Sequence, residues 1–200
     1  MIPAWLEGWL LRLIGVPAAQ SRLVDVCRTA LEGRAPVSVL DLGCGSGVYA
    51  GLLPFERYTG VDRSRQCIES ARSHCRHSGA SFQCADVSAF LADDKGPYDL
   101  VLMVGLLHHL DDSTGRAVLE ASARLLTEGG VAVSVDPVLL PRQRPMARLM
   151  ALLDRGNHVR TREGYGALVP DALRIHEQRV SGSELRVPQD LLLMVMRRAW

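Results

Sequence analysis

The sequence predicts an α/β domain built on a doubly wound, mostly parallel sheet. Short apolar, β-branched runs alternate along the chain with amphipathic helical segments, a pattern typical of a sheet with helices on both faces. A glycine-rich turn follows the first predicted strand, where such folds bind their ligands. The 200 residues, 48% of them hydrophobic and 22% charged, suffice for one globular domain with a sizeable core.

The glycine-rich turn is the most informative segment of the chain. A buried strand is predicted from Val37 to Asp41, and glycines follow at alternate positions, at Gly43, Gly45 and Gly47. Glycine allows tight bends and lets a ligand approach the backbone where a Cβ would intervene. We therefore expect a nucleotide-type cofactor beside Asp41, at the carboxyl end of the first strand.

The other elements follow from hydrophobic periodicity and from cap residues. Further strands are predicted at residues 57–62, 81–85, 99–104, 131–136, 173–180 and 191–197. Helices are predicted at residues 18–31, from Gly47, from Ser64 to a stop at Gly79, at 114–126, from Pro145 and from Thr161. In the helix from Pro145, one apolar stripe is expected to consist of Met146, Leu149, Leu152 and Leu153.

Two classes of cofactor fit the glycine turn. The spacing Gly45-x-Gly47-x-x-Ala50 satisfies the dinucleotide fingerprint, in which a pyrophosphate rests on a helix N-terminus. Asp62 ends the second strand and suits a ribose under either alternative. Asp41 discriminates between them, because a carboxylate there would repel a pyrophosphate but suits an ammonium group. S-adenosylmethionine carries an ammonium and a sulfonium group and has no phosphate.

These residues resemble the motifs of the class I S-adenosylmethionine-dependent methyltransferases. Five segments carry the resemblance in chain order, namely residues 39–47, 60–64, 84–87, 98–112 and 126–135. The resemblance implies a Rossmann-like, seven-stranded sheet whose last strand is antiparallel. It also implies S-adenosylmethionine as the cofactor.

The resemblance further implies which residues bind that cofactor. Asp41 would lie at its methionine part, Asp62 would hold the ribose hydroxyls and Asp86 would accept from the adenine amino group. The other residues expected along the cofactor are Gly43, Cys44, Gly45, Gly47, Arg63, Val87 and Val104.

One domain with four parts is expected. Residues 1–35 are expected to form N-terminal helices, including a lid, and residues 36–136 the cofactor-binding core. Residues 137–170 are expected to form a helical insertion on the substrate side, and residues 171–200 a C-terminal strand pair. The apolar N-terminal stretch is too short to span a bilayer and lacks the basic start of a secretory signal. It is predicted to be a lid or packing helix, with a homodimer contact or a membrane-surface contact as alternatives.

Two adjacent histidines are the candidates for acid–base chemistry. His108 and His109 follow the fourth strand, where the resemblance places the methyl group. An imidazole suits the removal of a proton from a hydroxyl acceptor near neutral pH. His109 is the better candidate, and a packing or loop-anchoring role is the alternative for both.

The segment after the fifth strand is locally basic. Six arginines lie between residues 142 and 162, and arginine suits a carboxylate or phosphate on the acceptor. We therefore predict that Arg142, Arg160 and Tyr165 contact the substrate. The alternatives are a solvated helix face for the arginines and simple packing for the tyrosine.

The remaining composition points to a small acceptor and a cytoplasmic enzyme. The net charge is only +1, so no global field would recruit nucleic acid. The five cysteines include no C-x-x-C pair, which argues against disulfides, and we expect no metal site. The sequence predicts methyl transfer to a small O- or N-nucleophile, such as an anionic metabolite or sugar. Aminocarboxypropyl transfer or cyclisation is the first alternative, and an NAD-dependent oxidoreductase is the second.

Overall fold

A computed structural model describes residues 16–93, 96–152, 157–181 and 189–199. The strands within these ranges are β1 (Ser38–Leu42), β2 (Arg57–Asp62), β3 (Ala80–Cys84), β4 (Tyr98–Val104), β5 (Leu126–Leu139), β6 (Arg160–Thr161), β7 (Leu173–Ser181) and β8 (Leu191–Arg198). The helices are α1 (Val16–Ala30), α2 (Arg65–His74), α3 (Val87–Asp93), α4 (Asp112–Leu125), α5 (Pro145–Leu152) and α6 (Arg162–Leu168). The apolar N-terminal stretch at residues 2–14, for which a lid or packing helix is predicted, lies outside the described residues.

The main sheet has the strand order β3-β2-β1-β4-β5-β8-β7. Strands β1 to β5 pair in parallel, and β8 runs antiparallel to both of its neighbours. The short β6 pairs in parallel with the end of β5, off the main path. The predicted fold class, a doubly wound sheet with an antiparallel last strand, is confirmed.

Two apolar layers cover the faces of the sheet. On one face, Leu23 and Cys27 of α1 and Ile68 of α2 pack on β1, β2 and β4. On the other face, α3, α4 and α6 bury their apolar sides, with Leu119 and Leu168 fully enclosed. This layering leaves the carboxyl ends of the central strands as the edge where a site can form.

The helix predicted from Gly47 is instead a single 3₁₀ turn at Val48–Gly51. Leu53 and Phe55 are buried directly after this turn, so the chain has to return to the sheet at once. Pro54 lies between them and cannot continue a helix.

Helix α2 begins after the Ser64 cap as predicted, but it ends at His74 rather than at Gly79. Gly79 has a different role, because a Cβ at this position would lie 2.0 Å from the carbonyl oxygen of Glu56. Glycine is therefore required by the close approach of two backbone segments at the start of β3.

The apolar stripe predicted on α5 faces solvent and not the core. Met146, Leu149 and Leu152 are 55%, 47% and 62% exposed, whereas Ala147 and Ala151 are buried. The small alanines allow the helix to lie close against β5, and Met146, Leu149 and Leu152 are left outside. The fourth member of the predicted stripe, Leu153, lies outside the described residues.

None of the helices in the described ranges has the length and apolarity that crossing a membrane requires.

Candidate active site

The glycine turn after β1 is held against β2 by backbone hydrogen bonds. The N–H groups of Gly43 and Cys44 both donate to the carbonyl of Val61, at 2.8 and 3.0 Å. Gly45 and Gly47 have φ angles of +54° and +74°, a region that side-chain-bearing residues rarely adopt. The turn therefore has a fixed position at the carboxyl edge of the sheet.

Gly45 and Gly47 differ in the space around the position that a Cβ would occupy. A Cβ on Gly47 would lie 2.8 Å from the ring of Phe82 and 2.9 Å from Ala71, so packing under the turn requires glycine there. A Cβ on Gly45 would meet nothing within 4 Å. Gly45 therefore presents bare backbone toward open space, as a turn that contacts a ligand does.

Asp62, at the end of β2, links the glycine turn to the next loop. One of its carboxylate oxygens accepts from the Gly45 N–H at 3.0 Å, and the other accepts from the Ser64 N–H at 2.7 Å. The N–H of Ala85 donates to the Asp62 backbone carbonyl at 3.1 Å, which brings the loop after β3 beside it. The acids predicted for the ribose and the adenine thus lie on adjacent loops.

Asp41 is almost wholly buried, with 1% of its surface exposed. Its carboxylate accepts a hydrogen bond from the hydroxyl of Tyr58 on the neighbouring strand. Burial raises the pKa of Asp41 to about 7, the Tyr58 hydrogen bond opposes this shift, and the nearby Asp62 adds to it. Tyr58 was not among the residues predicted from the sequence. Asp41 pairs with Gly60 in the parallel β1–β2 register, which places Tyr58 diagonally on the same face, and this register becomes visible only in the fold.

A cavity of about 430 Å³ opens beside the glycine turn. Predicted cofactor residues line one side of it, namely Asp41, Gly43, Cys44, Gly45 and Val104. The other walls come from α1, β5, β7 and β8, and they include Leu23, Val26, Val135, Arg179, Leu191 and Leu193. Sequence reasoning did not select these wall residues, because only the fold brings the C-terminal strand pair next to the glycine turn.

The remaining cofactor residues lie at the neighbouring loops. Asp86 is exposed, and its carboxylate accepts from the N–H groups of Ser88 and Ala89 at 2.9 and 3.3 Å, in the first turn of α3. Arg63 is exposed beside Asp62, and Val87, the first residue of α3, is buried.

The site fits an S-adenosylmethionine-type cofactor better than a dinucleotide. A dinucleotide site places the pyrophosphate on the N-terminus of a helix, and here the turn leads only into the four-residue 3₁₀ segment Val48–Gly51. The carboxylates of Asp41 and Asp62 flank the turn, which suits a cation and a ribose rather than a diphosphate. Gly45 leaves the backbone open to the ligand between them.

The histidine pair lies in a 3₁₀ turn after β4, on the other face of the sheet from α1. His108 is 5% exposed, its Nδ1 lies 2.9 Å from Oδ1 of Asp136, and its backbone N–H donates to the same oxygen at 3.1 Å. His109 is exposed and stacks on His108 with ring centroids 4.0 Å apart. Asp136 was missed, although an acid at the end of an apolar strand is a signal of a buried polar contact.

Two of the predicted substrate residues are occupied with protein contacts. The Arg160 guanidinium donates to the carbonyls of Leu107, His158 and Leu110 at 2.7–2.9 Å, and it forms an ion pair with Asp112 at 2.7 Å. Through these hydrogen bonds Arg160 fixes the loop after β4, which carries His108 and His109.

Tyr165 is fully buried, and its hydroxyl donates to the carbonyl of Pro137 at 2.9 Å. Arg142 is exposed. None of Arg142, Arg160 and Tyr165 is among the residues that line the cavity beside the glycine turn.

Residues 39–130 match the family model described as a methyltransferase domain. A ubiquinone biosynthesis O-methyltransferase of Psychrobacter cryohalolentis is 30% identical over 145 residues, which are 67% of this chain and 56% of that protein. The chain belongs to the class I S-adenosylmethionine-dependent methyltransferases. It spans about half the length of the curated relatives it matches.

Solved methyltransferases share the whole fold of this family member. The N-methyltransferase NodS from Bradyrhizobium japonicum WM9, in complex with S-adenosylhomocysteine, superposes with a TM-score of 0.72 at 23% identity, covering 96% of this chain and 92% of NodS. A protein described as the [4+2]-cyclase SpnF has a TM-score of 0.69 at 16% identity, covering 89% of this chain and 81% of that one. The family membership implies S-adenosylmethionine as the cofactor of this methyltransferase.

The described part of the methyltransferase contains no group of three or more His, Cys, Asp or Glu side chains arranged to hold a metal ion. Residues 74–77 have the pattern His-Cys-x-His, but the described contacts of His74 and His77 are with neighbouring protein groups. Nδ1 of His74 lies 2.8 Å from the Ser70 carbonyl, and His77 stacks on Phe55 at 4.3 Å.

Proposed function

We propose that this methyltransferase transfers the methyl group of S-adenosylmethionine to a small acceptor bound in the cavity beside the glycine turn. The observation that carries the proposal is the continuity of that cavity. One side is the cofactor turn with Asp41, and the other is an apolar chamber formed by α1, β5 and the C-terminal strands.

The cofactor supplies an activated sulfonium methyl group, so the protein has mainly to bind and orient. Ionised Asp41 would hold the cofactor's ammonium group, Asp62 its ribose hydroxyls and Asp86 its adenine amino group. Val104, at the end of β4, also lines the cavity. Fixing two reactants in line removes up to about 7–11 kcal/mol of the barrier in the best cases, and that is the main contribution expected here.

The chamber suits an acceptor with an apolar body. Leu23 and Val26 of α1, Val135 of β5 and Leu193 of β8 form apolar walls, which exclude water from the acceptor. Arg179 lines the same cavity and pairs with Glu177 at 2.6 Å. A cation at this position supports the predicted anionic group on the acceptor, with Arg179 in the role first assigned to Arg142 and Arg160.

His109 stays the predicted base for a hydroxyl acceptor, but neither it nor His108 is among the residues that line the cavity beside the glycine turn. It is the exposed member of the histidine pair, and His108 beneath it is fixed by Asp136. A base of this kind contributes roughly 10²–10⁴-fold, so methylation would continue slowly without it.

The acceptor class and the cellular setting complete the proposal. The curated relatives are named as O-methyltransferases, which supports an oxygen acceptor on a small molecule. The net charge of +1 supports a small molecule over a nucleic acid. A cytoplasmic location is part of the proposal, and a homodimer stays a prediction.

Non-methyl chemistry is the second candidate, because a cyclase is among the solved structures with this fold. Incubation with S-adenosylmethionine and a panel of small phenols, amines and carboxylates, followed by mass spectrometry, distinguishes the two. Methyl transfer leaves S-adenosylhomocysteine and a product one carbon heavier. Aminocarboxypropyl transfer leaves methylthioadenosine, whereas a [4+2] cyclisation rearranges the acceptor without a change of mass and leaves the cofactor unconsumed, and either outcome would contradict the proposal.

A further inference from the structure

The outward face of α5 is apolar. Met146, Leu149 and Leu152 lie within an arc of about 120° on one side of the helix, because successive residues are about 100° apart. Ala147 and Ala151, which are buried, occupy the opposite side. Met146, Leu149 and Leu152 therefore point away from the domain.

This exposure is concentrated on α5. Seven large apolar side chains are exposed in the described ranges, and three of them belong to this eight-residue helix. The other four, Val37, Val48, Leu52 and Ile175, lie elsewhere in the fold. Single exposed apolar residues are ordinary, whereas a contiguous patch indicates an interaction surface.

Arginines border the patch along the chain. Arg142, Arg144 and Arg148 are all exposed, and they precede or belong to α5. No Asp or Glu occurs from residue 137 to residue 153, so the segment's own charge is positive throughout. An apolar strip bordered by arginines is complementary to a surface with an anionic exterior and an apolar interior.

We propose that α5 and its three arginines form a docking surface for an anionic lipid bilayer. Met146, Leu149 and Leu152 would enter the boundary between headgroups and acyl chains, while the arginines contact lipid phosphates. At about 12 Å the helix is far too short to cross a bilayer, so it lies along the surface. Three apolar side chains alone, or three charges alone, would bind a bilayer only weakly. Binding therefore requires both the apolar side chains and the arginines.

Vesicle sedimentation with the full chain tests the proposal. The chain should bind vesicles of phosphatidylglycerol and phosphatidylcholine, and it should not bind vesicles of phosphatidylcholine alone. Leu149→Glu combined with Leu152→Glu should lower binding at least tenfold, because two carboxylates would have to enter the interface. Arg142→Gln with Arg148→Gln should lower binding about fivefold per arginine, and added salt should weaken the wild type similarly.

Leu52→Glu is the matched control, since Leu52 is an exposed leucine (42%) outside α5. This variant should bind vesicles like the wild type. Affinity for S-adenosylhomocysteine should be unchanged in the α5 variants, because their residues do not line the cavity, and this measurement shows that they are folded.

Two outcomes would overturn the proposal. One is equal sedimentation of the wild type and the Leu149→Glu, Leu152→Glu variant, or no sedimentation of either. The other is that a second copy of the chain, rather than a lipid bilayer, covers the apolar face of α5. In that case the glutamates convert a dimer to a monomer in size-exclusion chromatography, and the wild type does not bind anionic vesicles.

Discussion

Tyr58 donates a hydrogen bond to Asp41 across the β1–β2 pair, with both side chains buried below the glycine turn. The bond favours the ionised carboxylate, whereas burial favours the protonated one, and the pKa of Asp41 lies at about 7 as a result. Tyr58 therefore increases the ionised fraction of Asp41, the carboxylate proposed to hold the cofactor's ammonium group, although Tyr58 itself does not line the cavity.

Tyr58→Phe should weaken cofactor binding at neutral pH by about tenfold, because loss of the hydrogen bond raises the pKa of Asp41 further. Calorimetry with S-adenosylhomocysteine measures the effect. Tyr165→Phe, which removes another buried tyrosine hydroxyl, is the control and should leave the affinity unchanged. Equal affinities of wild type and Tyr58→Phe would show that the bond does not govern the cofactor site.

The wild-type affinity for S-adenosylhomocysteine should rise with pH between about 5.5 and 7.5, as Asp41 ionises. The ligand's own amino group stays largely charged over that range, since α-amino groups have a pKa of about 7.7–8.0. Asp41→Asn should bind weakly and with little dependence on pH. A flat wild-type profile would contradict the assignment of Asp41 to the ammonium group.

The same carboxyl group makes folding stability depend on pH. Its pKa is about 7 in the folded protein against an ordinary value of 3.8, so between these pH values the folded state holds a proton that the unfolded chain releases. The contribution of Asp41 to the free energy of unfolding is therefore full below about pH 4 and decreases as the pH rises to 7. Urea titrations should show this decline in the wild type and a smaller one in Asp41→Asn.

Arg160→Ala should lower the free energy of unfolding by about 2–4 kcal/mol. The substitution leaves the carbonyls of the His108–His109 loop without their buried donor. Arg142→Ala, at an exposed arginine, should change stability by no more than about 0.5 kcal/mol. Denaturant melts check both, and a fully stable Arg160→Ala with a raised KM for the acceptor would restore Arg160 as a substrate contact.

His109→Ala should reduce turnover at least tenfold with a hydroxyl acceptor and leave cofactor affinity unchanged. Asp136→Ala should instead destabilise the protein, because two hydrogen bonds to His108 depend on that carboxylate. Turnover by His109→Ala at the wild-type rate would remove the histidine from the proposed mechanism.

The cofactor half of the site was predictable from sequence because it is local. The turn from Asp41 to Gly47 and the strand-end acid Asp62 are short segments whose spacing carries the geometry. The acceptor half depends on long-range pairing, since Leu193 reaches the cavity only because β8 pairs with β5. No local pattern contains that information.

Helical periodicity also predicts which residues share a face, but not which face is buried. On α5 the pattern grouped Met146, Leu149 and Leu152 correctly on one side and assigned that side to the core. Close packing against β5 selects the alanine side instead, because small side chains allow the closer approach. The same kind of long-range contact engages Arg160 and Tyr165, whose partners lie far away along the chain.

Calorimetric titration with S-adenosylhomocysteine and with NAD tests the central claim most directly. The wild type should bind S-adenosylhomocysteine and not NAD, and Asp62→Ala should weaken that binding at least tenfold through the lost charge-assisted hydrogen bonds. Binding of NAD in preference to S-adenosylhomocysteine would contradict the account.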